Sequence, residues 1–94
     1  MSSLASLARP YAKAAFELAQ EEQALTHWDE MLELASALAT DESMVNLLDN
    51  PLVSSARVAG IISDAAGDRF DKRFNDFLSV LASNGRLPLL PQVL

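Results

Sequence analysis

The chain has one histidine, no cysteine and three scattered glycines, and these limit the chemistry it can offer. His27 stands beside Asp29 and Glu30. No second histidine stands three or four residues on and no cysteine is present, so the spacing of a helical metal site is missing. The lack of thiols rules out disulfides, thiol nucleophiles and thiolate metal ligands, and suits a reducing compartment. No serine lies in a G-x-S-x-G frame. Gly60, Gly67 and Gly85 are too far apart to cradle a phosphate. Asp64, Asp68 and Asp71 lack the alternating order of a calcium loop. The expectation is a chain with no active site, no metal and no cofactor.

Charge narrows the partners. Seven basic residues face thirteen acidic ones, for a net charge of −6. That argues against nucleic acid, whose binding depends on neutralising phosphates. Arg69, Lys72 and Arg73 do cluster, but Asp68, Asp71 and Asp76 alternate with them, as on a solvated helix face laced with ion pairs. No apolar run reaches the roughly 18–20 residues that span a bilayer, so no direct membrane insertion is expected. The start lacks a basic stretch followed by an apolar core, so no signal peptide is expected. With 94 residues, the expectation is a single helical domain over residues 1–94. A domain of this size buries somewhat over about 60% of its unfolded surface.

The elements that must present any binding surface are helical. The chain is organised around Leu4 to Gln20, LASLARPYAKAAFELAQ. At about 100° per residue, Ser6, Arg9, Lys13, Glu17 and Gln20 fall within an arc of about 80°. The rest is apolar or small, more than one core contact uses. Ala5, Ala8, Ala12, Phe16 and Ala19 form one side, mostly small. Leu4, Leu7, Tyr11, Ala14 and Leu18 form the other, larger and with one hydroxyl. Either the domain packs this helix on both sides, or one side awaits a partner. Pro10 fits only the first turn without loss of a backbone bond. The helix therefore starts near Ser6 or Leu7, or starts earlier and bends at Pro10.

Leu25, Trp28, Leu32, Ala35 and Ala39 repeat at helical spacing and predict a second helix, with Thr26 as a candidate N-cap and Asp29 completing a capping-box variant. Trp28 reads as a core or half-buried anchor, against the alternative of stacking on a ligand. Thr40 is expected to cap a short third helix, with Asp41 and Glu42 in its first turn and Met44, Leu47 and Leu48 on its apolar side. Asn50-Pro51 ends it. Ser54 or Ser55 opens a fourth helix with a stripe of Val58, Ile61, Ile62 and Ala65, and Gly67 closes it.

The fifth helix is expected over about Arg69 to Ser83. Phe74, Leu78 and Leu81 point one way, while Phe77 and Val80 point to an adjacent face. Two helices with surplus apolar surface, the first and the fifth, would form a groove able to hold an amphipathic helix. Asn84-Gly85 closes the fifth helix. Pro91 suits the first turn of a sixth, which reads as truncated because the pattern stops at Leu94. No strand pattern or repeat occurs. The expected fold class is all-α, a compact bundle of six helices.

Three stretches resemble one family. Residues Ala8 to Phe16, ARPYAKAAF, resemble the N-terminal helix of the delta subunit of bacterial rotary ATP synthases, related to the oligomycin-sensitivity-conferring protein of mitochondria. Residues Ala82 to Leu94, ASNGRLPLLPQVL, resemble the end of the same domain, and Trp28-Asp29-Glu30-Met31-Leu32 is similar between them. The resemblance implies the N-terminal domain of that subunit, with a C-terminal part of similar size absent here. It implies a six-helix bundle that holds the N-terminal helix of an alpha subunit between its first and fifth helices. The absent part would contact the b subunits of the peripheral stalk. The resemblance implies no catalysis, and a peripheral place on the cytoplasmic face of the bacterial inner membrane. It also selects the groove residues: Leu7, Tyr11, Ala14 and Leu18 opposite Phe77 and Val80. Ala12, Phe16 and Ala19 would then face the core with Phe74, Leu78 and Leu81.

Two other functions were compatible with size and acidity. An acyl-carrier-like bundle would present Asp-Ser-Leu at a helix start, but Asp41-Glu42-Ser43-Met44 has the wrong spacing. A generic helical adaptor is the other.

Overall fold

The structure is a computed structural model that describes residues 4–93, with side chains described from residue 6 onward. Six α-helices follow one another: α1 (Leu4–Glu21), α2 (Leu25–Ala39), α3 (Glu42–Asp49), α4 (Ser55–Ala66), α5 (Lys72–Ser83) and α6 (Leu90–Val93). Single 3-10 turns, Gly67–Arg69 and Leu87–Leu89, precede α5 and α6. No strand occurs among the described residues. The fold is the all-α six-helix bundle expected from the periodicity.

Pro10 lies inside α1, which begins before it. The helix therefore does without one interior amide donor, so its persistence rests on packing more than on its own ladder. The side chains of Leu4 and Ala5, and all of Leu94, lie outside the described residues.

The helix ends show which local signals won. Ser54 caps α4 by accepting from the Arg57 amide at 3.2 Å. Asp71 caps α5 by accepting from the Phe74 amide at 2.8 Å. Helix α5 thus starts at Lys72, three residues later than expected, because the chain first makes the 3-10 turn after Gly67. Gly67 and Gly85 both take positive φ, 66° and 67°, as expected of glycines ending a helix. Two expected caps are corrected. Asp41, not Thr40, caps α3, accepting from the Ser43 amide, while the Thr40 hydroxyl donates to the Ser36 carbonyl at 2.8 Å and closes α2. Thr26 caps nothing: α2 starts one residue earlier and its N-cap, Ala24, makes no side-chain bond.

The core is a stack of aromatics and aliphatics between α2, α4 and α5. Trp28 is buried at its centre. It meets Phe74 edge-on at 5.3 Å and Phe77 at 5.7 Å, and Phe70 leans on Phe74 at 4.6 Å. Offset and edge-to-face contacts of this kind add about 0.5–1.5 kcal/mol each beyond area burial. Val58, Ile62, Leu78 and Leu81 fill the α4–α5 side. Ala65, expected in the α4 stripe, is exposed, and Ala59 and Ala66 are buried instead. Leu87 and Leu90 close the core from the C-terminal end.

Helix α1 joins this core through α6 and α2. Its buried seam is Ala8, Ala15 and Ala19, three small side chains that let the neighbouring backbones approach. Phe16 was expected to face the core alongside Ala12 and Ala19, and it does not: it is 55% exposed. A phenyl ring on the seam would hold α6 away. By the helical period Phe16 sits about 80° to one side of Ala8.

Candidate protein-binding site

Leu7, Tyr11, Ala14 and Leu18 share one flank of α1, about 90° from the alanine seam on the side away from Phe16. All four are half-buried, resting against the core without being enclosed by it. They form a continuous apolar stripe at i, i+4, i+7 and i+11, the pattern an amphipathic helix recognises. Tyr11 adds a hydroxyl, and Ala14 is the lowest point of the stripe.

The α5 side differs from the expected one. Val80 is 51% exposed and free for contact. Phe77 is only 5% exposed and belongs to the core, where it packs edge-on against Trp28. The cause is helical geometry. Phe77 is three residues from Phe74, about 60° around the helix, so one inward arc holds both rings. What α5 presents is Val80.

Two features place α5 relative to α1. Arg73, one turn before Phe77, reaches Glu21 at 4.0 Å and Glu22 at 3.9 Å, tying the start of α5 to the end of α1. The 3-10 turn Leu87–Leu89 contacts both helices. The two helices are thus linked by charge at one end and share the turn as a common neighbour. The main packing of each goes elsewhere, α1 against α6 and α5 against α4.

The ion pairs were not readable from sequence, since they join residues some fifty positions apart. The same holds for His27, whose Nε2 lies 3.7 Å from an Asp71 carboxylate oxygen. Asp71 thus serves twice, as the cap of α5 and as the α2 contact. Asp71→Ala is expected to lower unfolding free energy by about 1 kcal/mol, the worth of an N-cap, and Asp71→Asn by less because an amide still accepts. Urea unfolding of the two variants reads the difference.

A second apolar opening lies on the opposite flank of α1. A cleft of about 300 Å³ is lined by Ala12, Phe16 and Ala19 of α1, Leu25 and Leu32 of α2, and Val93 of α6. Leu25 is 47% exposed. Sequence reasoning missed it because Phe16 was assigned to the core. Among the described residues no cluster of histidine, cysteine and carboxylates could hold a metal, and no helix is long and apolar enough to cross a membrane.

The family model described as ATP synthase delta (OSCP) subunit matches residues 7–94. The chain is 45% identical over its 94 residues to ATP synthase subunit delta of Alcanivorax borkumensis, covering all of this chain and 53% of that protein. It is 43% identical over its whole length to the subunit of the same name from Proteus mirabilis, covering 52% of it. The corresponding protein of Nitrosospira multiformis is 39% identical over 93 residues, again 52% of its length. The chain spans about half the length of the curated relatives it matches.

Proposed function

The chain belongs to the ATP synthase delta (OSCP) subunit family, and from that membership we propose that it is a stator module, binding the N-terminal helix of an alpha subunit in the crease between α1 and α5. It is the N-terminal domain of its subunit and carries out no chemistry of its own. The remainder of a full-length subunit engages the b subunits of the peripheral stalk. The two halves link the catalytic head to the stalk, so that the head does not turn with the rotor. The assembly sits peripherally at the cytoplasmic face of the membrane.

The observation that carries this reading is the stripe Leu7, Tyr11, Ala14 and Leu18, half-buried on one flank of α1. Its apolar side chains pack in part against the core and still reach solvent, beside the fully buried alanine seam. Val80 extends the apolar surface from the α5 side. A visiting helix laid in this crease would bury those side chains at roughly 25 cal/mol per Å² of apolar surface removed from water. Torque resistance calls for slow dissociation, and nanomolar affinity corresponds to about −12 kcal/mol. A few central anchors carry most of such a sum.

The test is a calorimetric titration of the chain with a synthetic peptide matching an alpha-subunit N-terminus. Saturable one-to-one binding in the nanomolar range, with a negative heat-capacity change from apolar burial, is the expected outcome. Failure to bind at tens of micromolar would remove the proposal.

A further inference from the structure

We propose that Arg73 is a positioning residue: it holds the start of α5 to the end of α1 and so sets the width of the crease in which the alpha-subunit helix docks. Its effect on affinity rests on the docking reading. The helix separation it sets can be measured without a partner, so the two can fail separately.

The charges lie in register with the two apolar walls. The α1 stripe of Leu7, Tyr11, Ala14 and Leu18 reaches Glu21 at its next position, seven residues after Ala14 and so about 20° from it around the helix. Arg73 precedes Val80 on α5 by the same seven residues. These two positions meet: the guanidinium lies 4.0 Å from a Glu21 carboxylate oxygen and 3.9 Å from one of Glu22. The end of one wall is thereby held to the start of the other.

Neither set of charges suits its own helix. Helix α1 ends on two acids with no base in its last turn. Helix α5 carries Lys72 and Arg73 at its start, with no acid inside that turn. The helix dipole disfavours both placements. Across the gap both become favourable, because α5 supplies the cation that the end of α1 lacks. Among the described residues no other ion pair joins α1 to α5, and the main packing of each is with a different helix. The side chains of Arg73, Glu21 and Glu22 are 51%, 66% and 27% exposed. Changing their charge therefore alters the link without opening the core.

The chain has no cysteine, so Lys13→Cys and Ser79→Cys, both at exposed positions, place one nitroxide on α1 and one on α5. Pulsed electron resonance then reads the α1–α5 distance. Arg73→Glu is expected to lengthen and broaden that distance distribution. The charge-reversed set of Arg73→Glu with Glu21→Arg and Glu22→Arg is expected to restore it. In titrations of the unlabelled chain with an alpha-subunit N-terminal peptide, Arg73→Met, which keeps the apolar stem, should weaken binding about threefold to fivefold, and Arg73→Glu at least about tenfold. The reversed set should bring affinity back to within about twofold of the parent. A distance distribution that ignores Arg73→Glu would overturn the proposal. So would parent-like affinity in Arg73→Glu, or a loss that the reversed set leaves in place, since Arg73 would then touch the visiting helix itself. A parent chain that binds no peptide removes the docking reading, while the distances still decide whether Arg73 holds the two helices. If circular dichroism shows that Arg73→Glu has lost helix, Arg73→Met carries the distance measurement.

Discussion

Replacing Phe74 with alanine is expected to unfold this domain at ordinary temperatures or bring it close to that point. Phe74 is fully buried and touches three other aromatic rings: Trp28 at 5.3 Å, Phe70 at 4.6 Å and Phe77 at 6.0 Å. Truncating a buried phenylalanine costs about 3–5 kcal/mol, part lost transfer energy and part cavity. This site should fall at the upper end, because its neighbours are stiff rings that cannot collapse into the space. The ring also orders the start of α5, since the Phe74 amide is the one that Asp71 caps. Domains of this class hold about 5–15 kcal/mol in total, so most of the margin goes. In thermal melts followed by circular dichroism the midpoint should fall by roughly 15–30 °C. Phe74→Leu, which keeps most of the volume, should recover more than half of the loss. A drop of only a few degrees in the alanine variant would mean that the surrounding rings do collapse into the space, and would overturn this estimate.

Much of this architecture could be read from residue order, because it depends on signals that act within a few positions. Gly67 and Gly85 mark helix ends wherever they stand, since a left-handed residue is costly with a Cβ. The spacing of Phe74, Leu78 and Leu81 picks out one face whatever packs on it. Errors arose where two neighbours compete for one role. Thr40 and Asp41 both suit a helix start, and the carboxylate took the cap while the hydroxyl closed the preceding helix. Phe16 and Ala15 are adjacent on α1, and sequence hydrophobicity favours the phenyl ring as the core residue. Close approach of α6 reverses that choice, because an alanine permits it and a ring does not. Phe77 fails in the other direction: its burial depends on Trp28, forty-nine positions away, being there to receive its edge.

These two corrections change how α1 is understood. It carries an alanine seam at its centre and an apolar flank on either side. The flank of Leu7, Tyr11, Ala14 and Leu18 is half-covered by the domain itself; the flank of Phe16 is open. A helix this apolar, interrupted by Pro10, would be marginal alone. Its persistence inside the bundle rests on its packing against α6, α2 and the turn Leu87–Leu89.

Ala14→Asp should then weaken binding of an alpha-subunit N-terminal peptide by at least about a hundredfold, equivalent to about 2.7 kcal/mol. Ala14 is the smallest member of the stripe, between Tyr11 and Leu18, where a visiting helix would come closest. An aspartate there would be buried under the visitor without a partner, and an unpaired buried carboxylate costs several kcal/mol. No base within the stripe could receive it, since its neighbours on that face are Leu7, Tyr11 and Leu18. The free domain pays much less. Ala14 is only half-buried, so the new carboxylate can reach water, and the loss of helix propensity is about 0.7 kcal/mol at most. Helical content by circular dichroism should therefore stay within error of the parent while the calorimetric signal disappears. Ala14→Leu separates size from charge: a bulky apolar side chain would lift the visitor and lower affinity by a smaller factor, about tenfold. Leu52→Asp, at a fully solvated position in the α3–α4 connection, is the control and should leave binding unchanged. Unaltered affinity in Ala14→Asp would place the partner on another face and leave the crease between α1 and α5 without an occupant.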